Sequence, residues 1–156
     1  MLVTLLTDAS LCHETKAAGW GYYAISERTR AYGGGPLNTN PAQSTEAEMQ
    51  AIVNGLHCAV KRGVAEAGDS LIIQTDSVES IRAFTRSRQP VGNERAAVEK
   101  FHVMLATYKF DVEFRHVKAH SGVKDKRSFV NSACDRTAKR FMRKMRAERQ
   151  KSATTV

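Results

Sequence analysis

The order of secondary-structure elements constrains this chain most. Three strand-like segments come first, and helical segments then alternate with two further strands. The predicted strands cover residues 2–8, 19–27, 30–35, 71–75 and 111–117, and the predicted helices cover residues 45–62, 78–87, 94–108 and 128–149. The order βββαβααβα predicts an α/β fold with a five-stranded mixed sheet flanked by helices. Its three antiparallel strands come first, and parallel strands joined by helical crossovers follow.

Length and composition favour one domain. The 156 residues suit a single core, which we place at residues 1–149, with residues 150–156 expected to form a disordered tail. No apolar stretch is long enough to span a membrane. The cysteines Cys12, Cys58 and Cys134 are odd in number and widely spaced, so we expect reduced thiols and a cytoplasmic location. We expect a monomer.

Positive charge is concentrated at the C-terminal end. Residues 136–156 hold eight basic residues and one acid, a net charge of +7 out of +8 for the whole chain. A long anionic partner, most commonly a nucleic acid, fits this distribution. The alternative is a solvated helix face that serves only solubility.

Four acidic residues stand in distinct settings. Asp8 and Asp76 follow apolar runs that are typical of buried strands, while Glu48 and Asp135 lie in helices. Carboxylates at the ends of core elements are unfavourable unless a cation neutralises them, and a pair of Mg²⁺ ions would do so. Taken singly, each also has an ordinary explanation as a turn residue, helix cap or exposed acid.

Helical phase separates Glu48 from the nearby Glu46. Glu48 shares the apolar stripe of Ile52 and Leu56, whereas Glu46 falls on the opposite, wet face and is explained as a charge at the helix N-terminus. In the last helix, Asp135 lies at the edge of the apolar stripe. The basic residues Arg136, Lys139, Arg140 and Arg143 fall together on a neighbouring face.

The chain resembles type 1 ribonuclease H, the Mg²⁺-dependent enzymes that cut RNA in RNA–DNA hybrids. Five motifs occur in the order of that family, from Thr7 to about Ala138. They are Thr7-Asp8-Ala9-Ser10 with Gly19-Trp20-Gly21, Ala47-Glu48-Met49-Gln50-Ala51, Thr75-Asp76-Ser77, Val117-Lys118-Ala119-His120-Ser121-Gly122, and Asn131-Ser132-Ala133-Cys134-Asp135.

The resemblance implies a function and a set of site residues. The expected reaction is two-metal hydrolysis of the RNA strand of an RNA–DNA hybrid, giving 5′-phosphate and 3′-hydroxyl ends. Two Mg²⁺ ions, for which Mn²⁺ can substitute, would be held by Asp8, Glu48, Asp76 and Asp135. His120 would assist proton transfer or product release from its loop.

The resemblance also suggests substrate contacts. Gln43, Ser44 and Thr45 occupy the junction where this family contacts RNA, although Ser44 is also a plausible helix cap. Lys118, Arg136, Lys139, Arg140 and Arg143 are the expected phosphate contacts. The basic handle of many bacterial members is reduced here to a short stretch with Arg86 and Arg88, so we expect the C-terminal helix to take over part of its role.

Two other functional classes remain open. A DNA nuclease of the junction-resolvase or integrase type would keep the fold and the metals. A non-catalytic nucleic-acid-binding module would keep only the fold, but the presence of all four acids argues against it.

Overall fold

A computed structural model describes residues 1–118 and 126–154 and contains five strands and four helices. The strands are β1 (Leu2–Leu11), β2 (Ala18–Ile25), β3 (Arg30–Pro36), β4 (Ser70–Thr75) and β5 (Asp111–His116). The helices are α1 (Ser44–Lys61), α2 (Val78–Phe84), α3 (Glu94–Tyr108) and α4 (Lys126–Thr154). No described helix has the length and apolarity that crossing a membrane requires.

The strands form one mixed sheet in the order β3-β2-β1-β4-β5, which confirms the predicted fold class. β1, β2 and β3 pair antiparallel, whereas β1, β4 and β5 pair parallel. β1 pairs with β4 only as far as Leu6 opposite Gln74, but it continues beside β2 to Leu11. The predicted end of β1 at Asp8 is therefore too early, because β2 supplies hydrogen bonds after β4 has ended.

Helices cover both faces of the sheet. On β2, Tyr22 faces α1, while its neighbour Gly21 faces α4; side chains that alternate along a strand point to opposite faces. The core includes Leu5, Ile52 and Phe101, each at most 1% exposed.

Two glycines let the helices approach closely. A Cβ atom at Gly21 would lie 2.6 Å from the Cys134 carbonyl oxygen of α4, and a Cβ atom at Gly55 of α1 would lie 2.9 Å from Thr7 Cγ2. Because real Cβ atoms do not come so near to other heavy atoms, both contacts require glycine. These contacts fix how far α4 and α1 stand from β1 and β2.

Helix ends differ from the predictions in three places. α2 ends at Phe84 rather than Ser87, because Arg86 has a left-handed backbone (φ 62°) and Thr85 Oγ1 bonds to the Ile81 carbonyl at 2.7 Å. α4 begins two residues early, and it continues past Arg149 to Thr154. Residues 150–154 are thus helical rather than a disordered tail, and residues 155–156 lie outside the described part.

The start of α1 corrects two further predictions. The N-cap residue is Gln43, whose side chain makes no capping hydrogen bond, so Ser44 is the first helical residue and not the cap. Glu46 is only 4% exposed, not on a wet face. Its carboxylate accepts hydrogen bonds from the Ala42 backbone N–H at 2.9 Å and from Gln50 Nε2 at 3.4 Å. The preceding loop folds back over the first turn and covers this side chain, which bonds the residue before the N-cap.

Candidate active site

The carboxylates of Asp8, Glu48 and Asp76 converge at one edge of the sheet. Each offers an oxygen atom, and these oxygens all lie within 4.8 Å of one another. Asp8 lies on the part of β1 that extends beyond β4, and Asp76 directly follows the last residue of β4. The parallel register of the two strands therefore brings their acids together. Glu48 enters from the first half of α1, as its place on the apolar stripe predicts.

One backbone group holds two of these acids. The Ala9 N–H donates to Asp8 Oδ1 at 3.0 Å and to Glu48 Oε1 at 3.2 Å. The second oxygen of Glu48, Oε2, is buried and has no hydrogen-bond donor among the described residues. A buried carboxylate oxygen without a donor is costly, which is consistent with a site for a cation.

Asp135 of α4 lies beside this group, on the face of the sheet opposite α1. It contributes to the raised pKa of Asp8, but it is not one of the three residues whose oxygens lie within 4.8 Å of one another. Lys139, one turn later, places its ammonium 3.0 Å from Asp135 Oδ2. Lys139 is half-buried and paired with Asp135, whereas Arg136, Arg140 and Arg143 are exposed.

Burial and mutual repulsion raise the pKa values of Asp8 and Glu48. Desolvation, followed by the charge of Asp76, raises the pKa of Asp8 from 3.8 to about 7. Desolvation, followed by the charges of Asp8 and Asp76, raises the pKa of Glu48 well above its usual value. The neighbouring Cys134 thiol, buried behind Asp8, has a pKa raised to about 12 for the same two reasons. The ionised cluster thus needs positive charge.

All-oxygen ligand sets of this kind suit Mg²⁺ or Mn²⁺ rather than softer metals. The unpartnered Glu48 oxygen, the short separation of the three carboxylates and their raised pKa values all fit divalent cations.

His116 contacts the site although nothing in its sequence context indicates a role. His116 is exposed at the end of β5, and its Nε2 lies 3.2 Å from the Asp76 carbonyl oxygen. The preceding carbonyl, that of Thr75, accepts from the Val117 N–H at 2.9 Å. The His116 side chain thus extends the β4–β5 ladder by one bond and holds the backbone of Asp76. Only the register of the two strands could have indicated this contact.

The predicted substrate contacts outside α4 lie at the start of α1 and after β5. Gln43 and Ser44 are exposed at the start of α1, Thr45 is half-buried beside them, and Lys118 is exposed after β5. His120 lies outside the described residues. Arg88, at the reduced handle, is engaged by Glu79 and Glu94 at 3.0 Å each, so its charge is already paired.

A mixed sheet in this order, with acids from β1, α1 and the end of β4 meeting at one edge and Asp135 of α4 beside them, is typical of the ribonuclease H-like class of nucleic-acid hydrolases. The RNase H family model matches residues 2–143, and the chain belongs to the RNase H family. It is a ribonuclease H hydrolase by this membership. A comparison with curated protein sequences gives no significant match.

Solved structures agree on the fold. RNase H1 from the archaeon Halobacterium salinarum NRC-1 is 18% identical, with a TM-score of 0.71 and coverage of 92% of this chain and 99% of that one. The N-terminal RNase H domain of Rv2228c from Mycobacterium tuberculosis is 17% identical, with a TM-score of 0.70 and coverage of 91% and 99%. LC11-RNase H1 from a compost metagenome, solved with an RNA/DNA hybrid, is 13% identical, with a TM-score of 0.66 and coverage of 91% and 97%.

Proposed function

We propose that this protein is a Mg²⁺-dependent endonuclease that hydrolyses the RNA strand of RNA–DNA hybrids. The observation that carries the proposal is the convergence of Asp8, Glu48 and Asp76 within 4.8 Å in a chain of the RNase H family. The complex of LC11-RNase H1 with an RNA/DNA hybrid supports this choice of substrate. The products would carry 5′-phosphate and 3′-hydroxyl ends.

In this proposal Asp8, Glu48, Asp76 and Asp135 hold two Mg²⁺ ions. When bound, such ions activate water and stabilise the charge that develops during phosphodiester hydrolysis. The protein's part is to keep four carboxylates in place. The Ala9 N–H orients Asp8 and Glu48, His116 fixes the backbone of Asp76, and Lys139 orients Asp135. His120 remains the proposed group for proton transfer or product release.

The exposed cations Arg136, Arg140 and Arg143 of α4 would contact the phosphates of the hybrid. Arg88 cannot serve this purpose while Glu79 and Glu94 hold it. Truncation after Phe141 tests the whole C-terminal part of α4, but it also removes the buried Met142 and Met145.

A triple variant of Arg136, Arg140 and Arg143 to Gln is therefore the sharper test of charge. It should weaken hybrid binding and lower the slope of log K against log salt by up to about three. An unchanged affinity and slope would refute the contact.

Substrate choice is tested with end-labelled RNA–DNA hybrid, RNA duplex, DNA duplex and a four-way DNA junction, each with Mg²⁺ and then with EDTA. We expect cleavage of the RNA strand of the hybrid alone, abolished by EDTA and by Asp76→Asn. Cleavage of the junction would favour the resolvase alternative, and binding of hybrid without any cleavage would favour the non-catalytic alternative. Replacement of Mg²⁺ by Mn²⁺ should retain activity.

The proposal also covers location and oligomeric state. Cys12, Cys58 and Cys134 are all free thiols, which supports the proposed cytoplasmic location. A monomer remains the expected state, and sedimentation would test it.

A further inference from the structure

The last turns of α4 change the character of its inward face. Cys134, Ala138, Met142 and Met145 are buried against the sheet, at most 8% exposed. The next inward position, four residues after Met145, is Arg149, which is half-buried. A guanidinium thus stands where the apolar stripe would otherwise continue.

Arg149 joins two separate loops. Its Nη1 donates to the Thr15 carbonyl at 2.7 Å, in the turn between β1 and β2. Its Nη2 donates to Asn40 Oδ1 at 2.6 Å, in the β3–α1 loop, residues 37–43. Both bonds are short, and the planar fork of arginine suits two acceptors that lie side by side.

The β3–α1 loop also has supports on both sides of Asn40, since Thr39 Oγ1 donates to Gln50 Oε1 at 2.6 Å and Pro41 is fully buried. Asn40 is exposed and has a left-handed backbone (φ 50°), a conformation that Asn tolerates at some cost. Toward the helix, Ala42 is held by Lys16 Nζ at 3.3 Å and by the Glu46 carboxylate at 2.9 Å. Arg149 is thus the described hydrogen-bond partner of the Asn40 side chain, at the middle of the loop.

This loop leads directly into Gln43, Ser44 and Thr45, the proposed contacts to RNA. Its path sets where these three residues stand relative to Glu48, one turn further along α1. Both acceptors of Arg149 are neutral, and in the described part of the chain it makes no ion pair. It can therefore act by holding the loop, by its own charge, or by both.

We propose that Arg149 is a positioning residue for hybrid binding. Through Thr15 and Asn40, the C-terminal end of α4 fixes the β3–α1 loop so that Gln43–Thr45 are preorganised for the RNA strand. The inference rests on the proposed function. It gives α4 a second role beside the exposed cations of its outer face, because Arg149 acts through the loop and not through phosphate contact.

The test compares Arg149→Gln with Lys144→Gln in the full chain. Lys144 lies on the same helix, is exposed and makes no ion pair among the described residues, so its variant removes the same charge without touching the loop. Amide hydrogen exchange of the free protein measures how firmly the loop is held, and steady-state kinetics measure KM and kcat for the hybrid.

We expect exchange in residues 38–43 to become at least about fivefold faster in Arg149→Gln, as for the loss of one hydrogen bond, and to stay unchanged in Lys144→Gln. KM for hybrid should rise about three- to tenfold in Arg149→Gln with kcat nearly unchanged, and less in Lys144→Gln. Arg149→Lys, which keeps the charge and one donor direction, should restore KM only in part.

Three results would overturn the inference: unchanged exchange in the loop, equal KM changes in the two Gln variants, or full rescue by Arg149→Lys. Faster exchange in Arg149→Gln with normal KM would also overturn it while leaving the proposed function intact. A wild-type protein that neither binds nor cuts hybrid would instead overturn the proposed function, whatever the exchange result.

Discussion

Replacing Asp8 with Asn should stabilise the metal-free protein at alkaline pH while abolishing activity. Burial and the charge of Asp76 raise the pKa of Asp8 from 3.8 to about 7. Each pKa unit corresponds to about 1.4 kcal/mol, so ionising this carboxyl at pH 8 costs the folded state up to about 4 kcal/mol. Glu48 shares the same repulsion, and we therefore expect Asp8→Asn to gain between about 2 and 4 kcal/mol.

The gain has a defined pH dependence. Because the pKa of Asp8 is higher in the folded state than in the unfolded state, the cost is small below pH 3.8, grows as pH rises, and is complete above about pH 7. The variant and the wild type should therefore have nearly equal stability at pH 4 and differ most at pH 8.

Urea unfolding in EDTA measures this difference, with the single, buried Trp20 as the fluorescence probe. With an m value of about 2 kcal/mol/M, the midpoint at pH 8 should rise by about 1 to 2 M. Glu99→Gln, which neutralises an exposed acid on α3, is the matched control and should change little. A midpoint for Asp8→Asn that is lowered, or raised equally at pH 4 and pH 8, would show that the cluster does not carry this electrostatic cost.

Three further predictions concern the frame of the site and its cations. Gly21→Ala should lower the free energy of unfolding by about 1 to 3 kcal/mol and remove most activity, because the new methyl group would displace α4 and with it Asp135. Gly33→Ala is the control, since its methyl group would meet only ordinary contacts, and it should lower stability less. Urea unfolding and hybrid cleavage measure both variants. Asp69→Asn should lower the urea midpoint by breaking the bidentate pair with Arg28, and wild-type stability should fall as pH drops below 3.8 because that pair lowers the pKa of Asp69. Adding Mg²⁺ after EDTA should raise the wild-type thermal midpoint more at pH 8 than at pH 5, and a midpoint independent of Mg²⁺ would argue against a metal site.

Much of the fold followed from patterns within single segments. α3 begins and ends where its apolar spacing predicted, and Glu48 is buried because it shares a stripe with Ile52. Hydrophobic periodicity reports which face of a helix meets the core, so properties that depend only on that face are predictable.

Properties that depend on a second segment were not predictable in this way. Glu46 is covered by the loop that precedes its helix. Asp8 lies inside β1 because the pairing of β1 with β2 continues past the last residue that pairs with β4. The contacts of His116 and Arg149 likewise join segments that are far apart in sequence. Periodicity within one segment cannot show which other segment of the chain will lie against it.

The two ends of β4 illustrate how the same residue type serves opposite purposes. Asp69, just before the strand, is 2% exposed. Its carboxylate accepts hydrogen bonds from both terminal nitrogens of Arg28 and from the Glu66 N–H, and these bonds lower its pKa. Asp76, just after the strand, adds its charge to Asp8 and Glu48, whose pKa values rise. A carboxylate with donors stabilises the fold, and carboxylates that share a site without enough donors weaken it. Metal-free stability should accordingly decline on both sides of about pH 4, and bound cations should correct only the alkaline side, because the repulsion that raises the pKa values of Asp8 and Glu48 lies at the Asp76 end of the strand.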